Sequence, residues 1–203
     1  MTDTLPTGTR APHVGAPHPA SSRPGSSHDR AFRSGHHRNG SLGPVDADRF
    51  RRTLAVHAAG VVVITAQCEG VPVGLTATSF SSVSLNPPLV SFYVDRSSTT
   101  WPRLRAADHF AVNVLTGDQS ELAARFARKD VDRFAPPTRW RPGPLGAPLL
   151  QDVSAHLVCL PYDTIDVGDH ILVVGLVAEA EVHRPGNPLL YQRGRFGRFT
   201  PHH

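Results

Sequence analysis

Gly74-Leu75-Thr76-Ala77-Thr78-Ser79-Phe80-Ser81-Ser82-Val83-Ser84-Leu85-Asn86-Pro87-Pro88-Leu89-Val90 is the stretch on which the fold turns. Its β-branched and hydroxyl residues predict one strand over 73–84. Pro87-Pro88 then breaks the ladder, because proline has no N–H to donate. A further strand follows over 89–94. Six hydroxyl side chains lie between Thr76 and Ser84, more than a strand buried on both faces accepts without partners. Two readings fit. Either the strand is an edge with a hydroxyl-rich solvent face, as threonine favours, or a polar ligand lies along it.

On the N-terminal side, Val61-Val62-Val63-Ile64-Thr65 is a β-branched run, the mark of a strand buried on both faces. Cys68 to Pro72 carries turn chemistry. Before the run, Asp46 is a good N-cap for a helix over 46–58, with Phe50, Leu54, Val56 and Ala58 as its apolar side and Gly60 as its stop.

On the C-terminal side, residues 98–107 predict a short helix, with Pro102 confined to its first turn. Residues 110–115 alternate as a strand. Asp118-x-x-Glu121 has the capping-box pattern and leads into Leu122 and Phe126 at helical spacing. Residues 130–148, rich in Pro, Arg and Gly, predict a long surface loop. Two alternating runs follow, over 155–160 and 171–183, and Asp166-Val167-Gly168-Asp169 suits the hairpin turn between them. His156 falls on the outward side of that alternation. Leu189-Leu190-Tyr191 opens a Gly- and Arg-rich end.

The chain thus predicts a mainly β domain over 45–203, with short helices and hairpin-length links. Its sheet is mostly antiparallel and closes toward a barrel, which removes exposed edges. Residues 1–44 read differently. Pro, Gly, Ser and His dominate them, and after Met1 their only large apolar residues are Leu5, Val14, Phe32 and Leu42. That composition predicts a disordered basic tail. No apolar run marks the tail as a secretory signal. His36-His37 reads as a solvated pair, not a metal site, because no third ligand has the right spacing.

Charge excludes one class. The whole chain carries +4, but Arg10, Arg23, Arg30, Arg33 and Arg38 against Asp3 and Asp29 put three of those charges in the tail. The folded part is close to neutral and carries no footprint for nucleic acid. No run of about 18 apolar residues predicts a membrane helix. Two cysteines cannot make a disulfide framework, and no His, Cys and carboxylate cluster has metal-ligand spacing, so no metal is expected. There is no GxGxxG after a strand, no Walker A sequence and no Gly-x-Ser-x-Gly elbow.

Two further clusters carry chemistry. Ser97-Ser98-Thr99-Thr100 follows a strand and opens a helix; it reads either as ordinary capping or as a phosphate site. Gly168-Asp169-His170 reads either as a turn with a solvated imidazole or as an oriented proton donor. Cys159 falls in an apolar pattern and reads as an inert core thiol. Cys68, in a turn without a basic neighbour, is no nucleophile.

These segments, in this order from about Phe50 to Phe199, resemble the flavin reductase family with its antiparallel, FMN-binding split β-barrel. The resemblance is carried by the Gly74–Ser84 segment, Asn86-Pro87-Pro88-Leu89-Val90, Ser97–Thr100, Phe110-Ala111-Val112-Asn113-Val114-Leu115, Leu122-Ala123-x-x-Phe126-Ala127, Gly168-Asp169-His170 and Leu189-Leu190-Tyr191. It implies hydride transfer from NADH or NADPH to N5 of FMN or FAD, with reduced flavin supplied to a monooxygenase component. It implies that Thr76, Ala77, Thr78 and Ser79 line the flavin ring and ribityl chain. Ser97, Ser98 and Thr100 would hold its phosphate, and Phe126, Arg133 and Phe134 would close the site. His170 would seat the nicotinamide at the reactive face, and Tyr191 would pack nearby. A cytoplasmic homodimer is implied, with no nucleic-acid or membrane partner. Two alternatives stand beside this reading: a flavoprotein that keeps its FMN and acts directly on an organic substrate, and a flavin-binding protein without turnover.

Overall fold

The computed structural model describes residues 43–183 and 186–201; the predicted tail and its His36-His37 pair lie outside them, apart from Gly43 and Pro44. Helix α1 (Ala47–Leu54) is followed by strands β1 (Ala59–Gly60), β2 (Val62–Cys68), β3 (Val71–Ala77), β4 (Ser81–Leu85) and β5 (Pro88–Asp95). Helix α2 (Trp101–Arg105), β6 (Phe110–Val114), α3 (Ser120–Ala127), β7 (Trp140–Pro142) and β8 (Pro148–Leu150) come next. The chain ends with β9 (Ala155–Val167), β10 (His170–Val182), β11 (Leu189–Gln192) and β12 (Arg195–Arg198).

Seven strands form one antiparallel sheet in the order β3-β2-β6-β9-β10-β5-β4. The predicted single strand over 73–84 is therefore two strands. β3 and β4 are neighbours in sequence but sit at opposite ends of the sheet. The sheet curls so that the two ends approach. At the seam the Ser79 hydroxyl accepts from the Tyr93 main-chain N–H at 2.9 Å. A side chain there replaces a ladder bond, which is why the barrel is split along this line. Strand propensity alone does not encode the break, because Thr78-Ser79-Phe80 has the composition of the strands on either side.

β2 is the wall between two cores, as its β-branched run requires. Val62, Ile64 and Ala66 face the barrel interior with Phe92, Val94, Phe110, Val112 and Val173. Val61 and Val63 face an outer layer with Leu115, Ala123, Phe126, Leu150, Val153 and Leu189. Trp101 and Leu104 from α2 pack into the interior cluster. Phe92 and Phe110 meet edge to face at 5.5 Å, the favoured aromatic geometry. Cys159 is fully buried, and burial pushes its thiol up to about 12, so it is the inert core residue its pattern predicted.

One polar network is built into this wall. The Asn113 amide donates to Val63 O at 2.9 Å and to the Thr65 hydroxyl at 3.0 Å, and its oxygen accepts from Leu150 N–H at 2.8 Å. Every polar atom of that fully buried side chain is thereby paired, and β8 is fixed against β6.

Four local expectations are corrected. α1 ends at Leu54, short of Gly60, and buries none of its residues; Phe50, Leu54 and Val56 are exposed. The capping box does not form: α3 starts at Ser120, Gln119 makes no side-chain cap, and Asp118 instead accepts from the Thr116 hydroxyl. The loop over 130–148 contains the short strand β7 and leads directly into β8. His156 is buried and points inward, bonded to Leu150 O at 2.9 Å through Nε2 and to His183 at 2.5 Å through Nδ1. Burial holds the His156 imidazole below its ordinary pKa.

Candidate flavin-phosphate site

The site is built where β5 ends. Asp95 accepts from Ser97 N–H at 2.6 Å, and Ser98 N–H donates to Asp95 O at 2.9 Å, so the hydroxyl cluster leaves the strand in a tight turn. Bonds from the Ser97 hydroxyl and amide hold the Asp95 carboxyl below its usual range.

Arg96 ties this turn to the β9–β10 hairpin. Its main-chain N–H donates to Asp169 O at 3.1 Å, its guanidinium donates to Gly168 O at 3.2 Å, and it pairs with Asp166 at 3.0 Å. The hairpin turns through Gly168, whose φ of +59° suits glycine best. His170 then lies opposite Asp95 in the ladder. Its Nδ1 is 2.7 Å from Asp169 Oδ1, and that bond keeps the Asp169 carboxyl below its usual range. The contact fixes the ring and leaves Nε2 available to a ligand.

A cavity of about 250 Å³ opens beside the turn, lined by Ser97, Ser98, Thr99 and Thr100, by Leu75, Thr76 and Phe126, and by Lys129 and Arg133. Arg133 is its anchor. One guanidinium nitrogen donates to Gly74 O and to the Thr100 hydroxyl, each at 2.7 Å, while Nε donates to Arg128 O at 3.0 Å. All these acceptors are neutral, and among the described residues no carboxylate pairs with it. Burial lowers the Arg133 pKa, yet a guanidinium stays charged. A half-buried cation with only neutral partners is costly unless an anion joins it. Hydroxyls, a lysine and an unneutralised guanidinium around one small cavity fit a phosphate.

Of the residues predicted to line the ring and ribityl chain, only Thr76 reaches this cavity, and its hydroxyl also donates to Ala123 O at 2.7 Å. Ala77 has its side chain in the barrel core, Thr78 is exposed, and Ser79 is engaged at the seam. Phe126 and Phe134 meet edge to face at 5.2 Å, and Phe134 meets Trp140 at 5.5 Å. Gly74 makes this packing possible, since a Cβ there would lie 2.8 Å from Ile64 O and 2.9 Å from the Phe126 ring. Tyr191 is not brought to the cavity; it sits in the small β1-β11-β12 sheet, 5.3 Å from Phe196. Sequence reasoning missed Lys129. Its signal was that it is the chain's single lysine, just past a predicted helix.

A split antiparallel barrel whose penultimate strand β5 ends at a cavity lined by hydroxyls and two cations, with no Rossmann loop, fits a class of flavin-binding oxidoreductases. The model of the flavin reductase like domain matches residues 54–200, and the chain belongs to that family. It is 40% identical over 157 residues to a flavin reductase of Pseudomonas putida, covering 77% of this chain and 92% of that protein. It is 42% identical over 159 residues to an NADH:FMN oxidoreductase of Rhodococcus qingshengii, covering 76% and 83% respectively. Among solved structures, nitrilotriacetate monooxygenase component B from Mycobacterium thermoresistibile superposes with a TM-score of 0.73 at 38% identity, over 76% of this chain and 87% of that one. The chain is accordingly an NAD(P)H:flavin oxidoreductase. No helix among the described residues is long and apolar enough to cross a membrane.

Proposed function

We propose that the chain reduces FMN or FAD with NADH or NADPH and hands the reduced flavin to a separate monooxygenase component. The observation that supports this most directly is Arg133, a half-buried cation that pairs with no carboxylate among the described residues, set among hydroxyls and Lys129. In this reading Ser97, Ser98, Thr100, Lys129 and Arg133 hold the flavin phosphate. Main-chain groups around Thr76–Ser79 follow the ribityl chain and ring, and Phe126 closes the inner wall. Bound flavin supplies the two-electron acceptor for the hydride. The protein's part is approach geometry: His170, oriented by Asp169, seats the nicotinamide through Nε2 and needs to transfer no proton.

The reading includes a cytoplasmic homodimer. α1 buries nothing, and Leu160, Tyr162, Ile165 and Val167 along the outer half of β9 are exposed. Such a surface gains about 25 cal/mol per Å² of apolar area when covered, and a second copy is the simplest cover.

The test is anaerobic stopped-flow mixing of the purified protein with FMN or FAD and then NADH or NADPH. Rapid bleaching of the oxidised flavin band is expected with at least one pair. No bleaching with any of the four combinations overturns the reading. Flavin that stays bound at stoichiometric level through gel filtration after reduction would overturn the release step alone.

A further inference from the structure

Just past β10 stands a histidine that the flavin site does not use. His183 Nε2 lies 2.5 Å from Nδ1 of the buried His156 on β9, with the ring centroids 4.6 Å apart. The His183 main-chain N–H also donates to Ser154 O at 2.9 Å. His156 Nε2 in turn holds Leu150 O at 2.9 Å, and Leu150 N–H donates to Asn113. Leu150 lies opposite Trp140 in the β7–β8 pair and shares the outer core with Phe126, which lines the hydroxyl-rich cavity beside β5. Two imidazoles thus fasten the end of β10 to β8, and β8 backs one wall of that cavity.

The ring hydrogens determine how the pair responds to acid. Leu150 O can only accept, so His156 Nε2 carries a hydrogen. In the neutral ring Nδ1 is then bare, and it accepts from His183 Nε2–H. A first added proton has a place at His183 Nδ1, 3.6 Å from Glu181 Oε1, and leaves the contact intact. A second has only His156 Nδ1, where it meets the His183 N–H across 2.5 Å. The pair therefore accommodates the second proton only by opening.

The charges around it come from three elements. Arg141 on β7 opposes added positive charge at His156, and Glu181 on β10 favours it. Asp152, on the β8–β9 connection, pairs with Arg139. Across the ladder β6 presents Asn113, which carries no charge. Burial outweighs these and lowers the His156 pKa, so the folded chain binds the second proton more weakly than an unfolded one. Stability tied to the contact is full above the ordinary histidine value, about 6.5, and is lost as the pH falls below it. A cavity of about 320 Å³, lined by both rings, gives the proton its route.

We propose that His156 and His183 form a proton-operated latch: a second proton opens it, frees β8 and loosens the Phe126 wall of the flavin-phosphate cavity. The latch rests on the geometry of the pair; its effect on flavin rests on the reading above.

The experiment compares the full-length wild type, His183→Gln and Glu181→Gln at about pH 7.5 and about pH 5. It reads hydrogen–deuterium exchange, corrected for the intrinsic rate, and FMN affinity by fluorescence titration. Glutamine donates to a bare Nδ1 or accepts from a protonated one, and it does not titrate. Acid is expected to lower protection of the residue 150 and 183 amides at least about tenfold more in the wild type than in His183→Gln. FMN is expected to weaken about fivefold more in the wild type over the same interval. Glu181→Gln is expected to respond as the wild type does, because Glu181 does not lie between the facing nitrogens. Imidazole 15N NMR of the wild type needs no variant: His156 Nδ1 is expected to gain its hydrogen as the amides lose protection.

Equal acid responses in the wild type and His183→Gln overturn the latch. So does a response that Glu181→Gln abolishes, which would assign it to the carboxylate. A protonated His156 Nδ1 beside fully protected amides overturns it even if His183→Gln fails to fold. If protection falls as expected but FMN affinity changes alike in both proteins, the coupling to the cavity is overturned and the flavin reading stands. If no protein binds FMN at either pH, the flavin reading fails and protection alone decides the latch.

Discussion

Two helices of equal length, α1 and α3, differ in what holds them in place. α1 has the local signals of a helix: Asp46 accepts from Arg49 N–H at 2.8 Å, and Arg51 pairs with Asp48 at 2.9 Å. Yet it buries no residue. α3 lacks a side-chain cap, but its Ala123 and Phe126 are fully buried against the wall strand β2. Its other end leads to Lys129 at the hydroxyl-lined cavity beside β5. Capping and ion pairs supply on the order of 1 kcal/mol, while a buried aromatic supplies several. A helix that positions a site therefore depends on packing, and good local signals mark a helix without saying what it does.

The contrast breaks most sharply at Phe126. Phe126→Ala is expected to cost about 3–5 kcal/mol in urea unfolding, because it opens a cavity in the outer core and frees Phe134. The companion change is Gly74→Ala. The added methyl would meet the Ile64 carbonyl oxygen at 2.8 Å as well as the ring, and a backbone atom cannot swing away. A loss of about 1–3 kcal/mol is expected in the same measurement. A Gly74→Ala protein as stable as the wild type would mean that both α3 and the β2–β3 ladder give way at no cost.

The sequence made one half of this contrast legible. Apolar periodicity located α3, β2 and β6 because their burial depends on side chains that the pattern displays. It failed where position depends on a distant partner. The 73–84 run looked like one strand since no local residue distinguishes the seam at Ser79 from the strands beside it. His156 looked outward because its partners, Leu150 O and His183, lie in other elements. For the site, the hydroxyl cluster and Arg133 were legible once the resemblance gave them a role. Lys129 was not, because a cation just past a short helix shows no direction until the chain is folded.

Lys129 sharpens the comparison at α3's functional end. Lys129→Ala is expected to weaken FMN binding about fivefold, close to 1 kcal/mol, since the side chain is exposed and partly screened by water. Riboflavin, which lacks the phosphate, should bind both proteins equally. A loss shared by FMN and riboflavin would move Lys129 from the phosphate to the ring or to structure.

The smallest effect belongs to α1. Asp46→Ala removes the acceptor for Arg49 N–H, a change worth about 1 kcal/mol to an isolated helix. Because α1 buries nothing within the chain, that loss should stay local. The Arg49 amide should exchange about fivefold faster in hydrogen–deuterium exchange, with β2 and β6 amides unchanged and the urea midpoint unmoved. The proposed homodimer adds a second axis to this test. If a second copy covers Phe50, Leu54 and Val56, raising the protein concentration should slow Arg49 exchange in both proteins and shrink the difference between them. If α1 stays bare, the fivefold ratio should hold at every concentration. Either result separates a helix held by its own caps from one held by a partner, the distinction that α3 settles inside a single chain.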